Sequence, residues 1–279
     1  MTIGRNVHLV FAGLLALGLL GMGFAVVAAD VTFTGSTTVL PIAQAAAEAL
    51  AGQYDIEVAG GGSSVGVAAL IDGTTDIGDH SRPMKAAEYA DAVAAEIYPF
   101  TFHVANDAIA VIVHPSNPIV DFTLEQLKAI YTGEITLWEQ INPAIAGEIV
   151  AIGRDSASGT FETWEGLVMN KEDPAANVLA LAANAAVAQA VAENPMAIGY
   201  VGLAYVDSSL HGNPTVEGIE ATVANAVDYS YPIARPLFMS TDGFPSPGAV
   251  LDVILWILSD EGQQTAVFDV GYAPIRSLD

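Results

Sequence analysis

The chain has 279 residues, with 32 acidic and 8 basic side chains, a formal charge of −24 and no cysteine. This charge argues against nucleic acid as a partner, and the missing thiols remove disulfides, thiolate metal sites, a cysteine nucleophile and a lipid-attachment cysteine. With 52% hydrophobic and 14% charged residues the composition is globular, at a length that admits one large domain or two of ordinary size.

Residues 1–29 hold no acid and a single basic residue, Arg5, ahead of an apolar run that starts at Leu9 and ends with Val27 and Ala29 at −3 and −1 to Asp30. The pattern predicts a secretory signal peptide, although the run is also long enough to remain as an uncleaved N-terminal anchor. The later apolar stretch at 251–258 is short and broken by Asp252, so the rest of the chain is expected to be soluble. Acids are scattered through that part, as on a solvated surface suited to high salt. Such a surface repels anions over about 8 Å at physiological ionic strength, so an anion site here must act by short-range hydrogen bonds.

In chain order, residues 30–34 alternate as a strand, Gly35-Ser36-Thr37-Thr38 forms a hydroxyl-rich turn, and 42–51 reads as a helix closed by Gly52. The layout recurs: a strand at 54–58, a glycine-rich loop over 60–66 carrying Ser63 and Ser64, and a helix at 67–71 ended by Gly73. A short strand from Asp76 then leads to a third polar turn, Asp79-His80-Ser81-Arg82-Pro83. Three such loops at strand ends are what an open α/β sheet offers a ligand at its carboxyl edge. Further on come a buried strand at 109–114, a helix at 123–131 capped by Thr123 and stopped by Gly133, and a strand at 149–152. An Ala-rich helix at 175–192, strands at 198–201 and 232–239, and a helix bearing Val250, Ile254 and Ile257 behind a Ser246-Pro247 cap complete the pattern.

The densest polar signal is Gly153-Arg154-Asp155-Ser156-Ala157-Ser158-Gly159-Thr160, which sits between the strand at 149–152 and a helix-like run from Phe161. Ser158 and Thr160 offer hydroxyl donors, Gly159 admits close backbone approach, and the following helix aims unpaired N–H groups into the same space. Arg154 supplies a planar, permanently charged fork suited to a tetrahedral oxyanion, and Asp155 is positioned to orient that fork. From these residues alone, an ordinary capped loop would read the same way.

Seven segments stand in the order found in the periplasmic phosphate-binding proteins of ABC phosphate importers, which the chain resembles over 31–275. They are Gly35-Ser36-Thr37-Thr38-Val39, the loop at 60–66, Ser81-Arg82-Pro83, the stretch from Leu124 to Trp138, Arg154 to Thr160, Ala197-Ile198-Gly199-Tyr200-Val201 and Tyr231-Pro232-Ile233-Ala234-Arg235-Pro236-Leu237. The resemblance implies an α/β, two-lobed periplasmic-binding-protein-like fold of type II, each lobe a mixed sheet flanked by helices, with the ligand cleft between lobes. One lobe would comprise 30–104 plus 232–279 and the other 105–231, hinged at crossings near 101–106 and 229–235. Carried over by position, phosphate would be held by Ser36, Thr37, Thr38, Ser63, Ser81 and Arg82 of the first lobe, and by Arg154, Ser158, Gly159 and Thr160 of the second. The implied protein is a monomeric, non-catalytic receptor without metal or cofactor that delivers inorganic phosphate to a membrane ABC permease.

The chain departs from the pattern at the third turn, where Asp79-His80 precede Ser81-Arg82. In the best-studied branch of the family a carboxylate at the position of Ser81 accepts the phosphate proton and so rejects sulfate. Here Asp79, Asp155 or a serine hydroxyl are the candidate acceptors. Three rival readings stay open: the same fold binding sulfate, molybdate or tungstate; the same fold used for signalling or adhesion; and a serine hydrolase built on Ser64 of Gly62-Ser63-Ser64-Val65-Gly66, with Asp207 and His211 following in chain order. His80, His103, His114 and His211 lack metal-ligand spacing, Trp138, Trp164 and Trp256 read as core, Lys85 as a solvated lysine, and Arg235 as one half of an ion pair at the hinge.

Overall fold

A computed structural model describes residues 29–278, so the predicted signal peptide or anchor lies, but for Ala29, outside the described residues. The chain opens with β1 (Val31–Gly35), from which Val31 and Phe33 turn inward, while the Thr32 N–H and hydroxyl both donate to Asp76 Oδ2 at 2.8 Å. Then come α1 (Leu40–Leu50), β2 (Ile56–Ala59), α2 (Ser63–Ile71), β3 (Ile77–His80) and α3 (Ala86–Ala94). Helical crossovers let β1 pair in parallel with both β2 and β3. The α2 helix starts at Ser63 rather than Val67, because Gly62, at φ 105°, turns the chain straight into it.

The next elements are β4 (Pro99–Val113), β5 (Asp121–Phe122), α4 (Leu124–Tyr131), β6 (Val150–Arg154), α5 (Gly159–Leu167), β7 (Leu179–Leu181) and α6 (Asn184–Glu193). The last are β8 (Ala197–Gly202), β9 (Thr215–Val216), α7 (Val223–Val227), β10 (Ala234–Asp242) and α8 (Ala249–Leu258), before one more helical segment. Thr123 caps α4 as expected, accepting from Gln126 N–H at 3.1 Å while Gln126 reaches back to the Thr123 N–H. The helix expected over 175–192 exists only from Asn184. Residues Leu179–Leu181 are extended instead because they pair in parallel with β6 at the sheet edge, and that long-range pairing overrides their local helix propensity. The expected Ser246-Pro247 cap is also displaced, α8 being entered from Gly248 at φ 154°.

One sheet of eight strands, in the order β2-β1-β3-β10-β4-β8-β6-β7, links two lobes. β4 joins them. It pairs antiparallel with β10 as far as Ala108, opposite Ala234, and from Ile109, opposite Gly202, it pairs antiparallel with β8. Every β4 residue from Val104 to Val113 is buried, which is why only the second half of this strand stands out in the sequence as an apolar run.

Each lobe has its own core. The first gathers Phe33, Ile42, Ile77, Leu237, Met239, Ile254 and Tyr272, and the second Phe122, Leu127, Tyr131, Trp138, Trp164 and Tyr231, among others. Within the second, Trp164 stacks on Tyr200 with centroids 4.1 Å apart and planes 6° from parallel, and Tyr131 meets both edge-on. The stack reaches the polar loop through Tyr200, whose phenol oxygen accepts the Arg154 backbone N–H at 3.1 Å. Trp138 and Trp164 are fully buried, as their sequence context suggests. No helix among the described residues is long and apolar enough to cross a membrane.

Replacing Trp164 by Ala removes the centre of the stack and should cost about 3–5 kcal/mol of folding stability, read as a lowered urea midpoint. A change below about 1 kcal/mol would show that the stack is not what holds this lobe.

Candidate anion-binding cleft

Four strand ends converge between the lobes. From the first lobe come the β1–α1 turn with Ser36, Thr37 and Thr38, the start of α2 with Ser63, and the turn after β3 with Ser81 and Arg82. From the second comes the loop joining β6 to α5, with Arg154, Ser158, Gly159 and Thr160. All these residues are buried. The structure brings most of them into direct contact. Thr38 Oγ1 lies 2.9 Å from Thr160 Oγ1, Arg154 Nη2 donates to Thr37 Oγ1 at 3.1 Å, and Ser63 Oγ is 3.3 Å from Ser81 Oγ while accepting the Ser81 N–H at 3.0 Å. The cleft is shut: a Cβ at Gly159 would overlap Ser63 Oγ and come within 2.7 Å of Ser81 Oγ, so any larger residue would displace both hydroxyls. The Ser64 N–H closes the rim by donating to Ala157 O at 3.1 Å.

Arg154 sits at the end of β6 with its Nε donating to Leu181 O at 3.1 Å and its Nη2 to Ala182 O at 2.8 Å. The fork is therefore oriented by two backbone carbonyls at the end of β7, and not by Asp155 as the sequence suggested. Those carbonyls are available only because 179–182 is extended rather than helical. Burial is the main influence lowering the guanidinium pKa, to about 10, so it stays charged at neutral pH. Its Nη1 is buried with no acceptor. Ser158 caps α5, and its Oγ accepts from Thr160 N–H at 3.1 Å and Phe161 N–H at 3.2 Å. With both lone pairs taken, the Ser158 hydroxyl has only its proton left to offer.

Arg82 is occupied differently. Its guanidinium makes a bidentate pair with Glu88 at 2.6 and 2.7 Å, donates to Ser64 Oγ at 3.1 Å and to Pro83 O at 3.0 Å, and places Nε 2.6 Å from Glu162 Oε2. Glu162 lies in the first turn of α5 and also meets Lys85 at 3.0 Å, so the lysine read as simply solvated is half of a tie between lobes.

Sequence reasoning missed two contributors. Asn184, fully buried at the start of α6, donates from Nδ2 to Thr37 Oγ1 at 3.3 Å and to Thr38 Oγ1 at 3.0 Å. One polar residue inside an Ala-rich apolar stretch was its only signal. Arg235 does form the expected pair, with Asp107 Oδ2 at 2.8 Å, beside the point where β4 changes partners. It also reaches into the cleft, where the Nη2 hydrogen not taken by Asp107 is shared between Thr160 Oγ1 at 2.9 Å and Thr38 Oγ1 at 3.2 Å.

Two carboxylates near these loops have an oxygen with no partner, Asp79 Oδ1 and Asp155 Oδ1. Asp79 pairs with Met239 and follows Ile77 by two residues, so strand alternation sets it on the sheet face of the first core. Burial there pushes its carboxyl well above the ordinary range. The neighbouring His80 is buried and its pKa is lowered to about 4, chiefly by desolvation, so it is neutral. Its Nδ1–H must donate to Arg82 O at 2.7 Å, since a carbonyl can only accept, and Nε2 accepts from Ser240 Oγ–H at 2.7 Å. A hydrolase triad is not assembled. The Ser64 hydroxyl donates to Glu162 and accepts from Arg82, while His211 has one ring nitrogen on Ala188 O and the other accepting the Asp207 N–H. Among the described residues no cluster could hold a metal ion.

The pattern of the PBP superfamily domain matches residues 25–261. The phosphate-binding protein PstS of Staphylococcus aureus strain USA300 is 31% identical over 252 residues, covering 85% of this chain and 76% of that protein. PstS of Bacillus subtilis strain 168 is 27% identical over 252 residues, covering 89% and 82%. A crystal structure from Clostridium perfringens, assigned as a phosphate ABC transporter substrate-binding protein with phosphate bound, superposes with a TM-score of 0.81. It is 32% identical in sequence, and the match covers 88% of this chain and 99% of that one.

The buried acid beside the cleft gives a pH signature. Because Asp79 holds its proton more tightly folded than unfolded, stability should fall as pH rises from the unfolded carboxylate value, about 4, through the raised folded value, and the deficit should persist above it. Asp79→Asn should therefore raise the urea midpoint at pH 8, with the gain shrinking toward pH 4. A gain independent of pH would contradict the assignment.

Proposed function

Since this chain belongs to the PBP superfamily, as one of the PstS-type phosphate-binding proteins of ABC importers, we propose that its cleft captures inorganic phosphate and delivers it to a membrane permease. The observation that carries the site assignment is the buried Arg154 Nη1, a charged donor with no acceptor among the described residues, at the head of the loop that also holds the Ser158 hydroxyl with both lone pairs filled. A buried cationic donor left unpaired is costly, and an oxyanion at that point removes the cost. Ser36, Thr37, Thr38, Ser63 and Ser81 face it from one lobe and Arg154, Ser158, Gly159 and Thr160 from the other. Arg82 lies behind them as the tie to Glu162.

Donors from two lobes bind ligand better closed than open, which is the differential affinity that a hinge at Asp107 and Arg235 needs. The lobes divide as 30–104 plus 232–279 and 105–231. The proton of the bound phosphate falls to Asp155 or to the Ser81 hydroxyl, because Asp79 faces the first core. The relatives carry the names of binding proteins, and the cleft acts here as a receptor and not as a catalyst. Export follows from the signal-like segment at 1–29, and a single chain contains the whole cleft, which fits a monomer.

The test is calorimetric titration of ligand-stripped protein with phosphate, sulfate and tungstate. Tight one-to-one binding of phosphate with sulfate excluded is expected, with Arg154→Ala costing about 100-fold or more in affinity and Lys85→Ala less than about 5-fold. Of Asp155→Asn and Ser81→Ala, the one that admits sulfate marks the proton acceptor. Binding of sulfate or tungstate in place of phosphate would move the function to another oxyanion.

A further inference from the structure

Asn184 lies at the first turn of α6, fully buried, where neither cap geometry nor packing calls for an amide. Its orientation is fixed chemically. The Gly202 N–H, which can only donate, bonds the Asn184 Oδ1 at 3.2 Å, so the two hydrogens of Nδ2 must face the cleft. One goes to Thr37 Oγ1 and the other to Thr38 Oγ1.

Thr37 Oγ1 also receives Arg154 Nη2 at 3.1 Å, so both of its lone pairs are filled and its proton must point elsewhere. Arg235 Nη2 has two hydrogens for three acceptors, Asp107 Oδ2 at 2.8 Å, Thr160 Oγ1 at 2.9 Å and Thr38 Oγ1 at 3.2 Å, so the two threonines share one of them. Thr38 and Thr160, 2.9 Å apart, hold one hydroxyl proton between them. Among the described residues, no protein oxygen receives the proton of Thr37.

From this we infer that Asn184 is a specificity-determining residue of the cleft, acting through its neighbours. Its amide fills the second lone pair of Thr37, so that Thr37 presents only a proton to the cleft and bonds only an unprotonated ligand oxygen. The inference rests on the phosphate reading above and deepens it, since a phosphate hydroxyl is then excluded from the Thr37 position. Ser81 Oγ, held by the 3.3 Å contact with Ser63, keeps a lone pair with which to accept the P–OH.

Asn184→Asp is the direct test. The aspartate keeps the shape and still accepts the Gly202 N–H, but offers lone pairs where Nδ2 stood, so the Thr37 proton turns to it and away from the ligand. Phosphate affinity measured by calorimetry at pH 8 should fall about 100-fold or more, with the circular dichroism spectrum unchanged. Binding within about 3-fold of the parent would overturn the inference. Because the aspartate could disturb folding, a double-mutant cycle of Asn184→Ala with Thr37→Val supplies a readout that a merely structural role does not move. If the amide acts through Thr37, the double variant should lose no more phosphate affinity than the weaker-binding single variant, whereas additive losses would overturn it. Should the parent bind sulfate or tungstate in place of phosphate, the phosphate reading fails. The same cycle run with that anion then decides the role of Asn184 separately.

Discussion

A guanidinium taken out of water must find partners for its charge, and Arg154 finds them in an unusual way. It has no carboxylate in direct contact; two carbonyls, Leu181 and Ala182, and one hydroxyl, Thr37, hold it while Nη1 stays unpartnered. Much of the second lobe serves this placement. The Tyr200 phenol accepts the Arg154 N–H, Trp164 and Tyr131 pack that phenol from behind, and β7 lies extended on β6 so that its carbonyls reach the fork. An interior arranged this way carries unfinished positive charge and has a standing preference for an anion.

The same logic explains how a chain with a formal charge of −24 can host an anion. Long-range attraction is not available to it, since the surface field has the wrong sign and salt screens it within about 8 Å. Selectivity and affinity must come from contacts made after water has left. The shut cleft provides them: hydroxyls of the two lobes touch, Gly159 packs its backbone against Ser63 and Ser81, and Glu162 holds Arg82 and Lys85 across the rim. Arg235 joins this system to the strand crossing, since the guanidinium that pairs with Asp107 also bonds Thr38 of one lobe and Thr160 of the other. The strand crossing and the hydroxyls of both lobes are thus tied to one side chain.

Much of this is legible in the sequence. Alternation marked the first strand, Thr123 stood out as the cap of its helix, and the cluster from Arg154 to Thr160 marked a helix N-terminus with a charged residue upstream. Local chemistry decides each of these. Where the reading failed, the competing cause was distant in sequence. The stretch at 175–183 has helical propensity but lies against β6, and Asp155 stands next to Arg154 in the chain while carbonyls nearly thirty residues away orient the fork. Nor does anything in the sequence say that Glu88 and Glu162 will meet Arg82.

The sequence by itself determined the fold class, the hydroxyl-bearing loops at strand ends and the family, because these rest on periodicity, turn chemistry and ordered motifs that survive without contacts. Only the tertiary structure decided which way each hydrogen bond runs. Donor and acceptor roles at Thr37, Thr38 and Thr160 depend on Asn184 and Arg235, which reach them from other strands and helices, and the direction of a hydroxyl proton is set by whatever else fills its lone pairs.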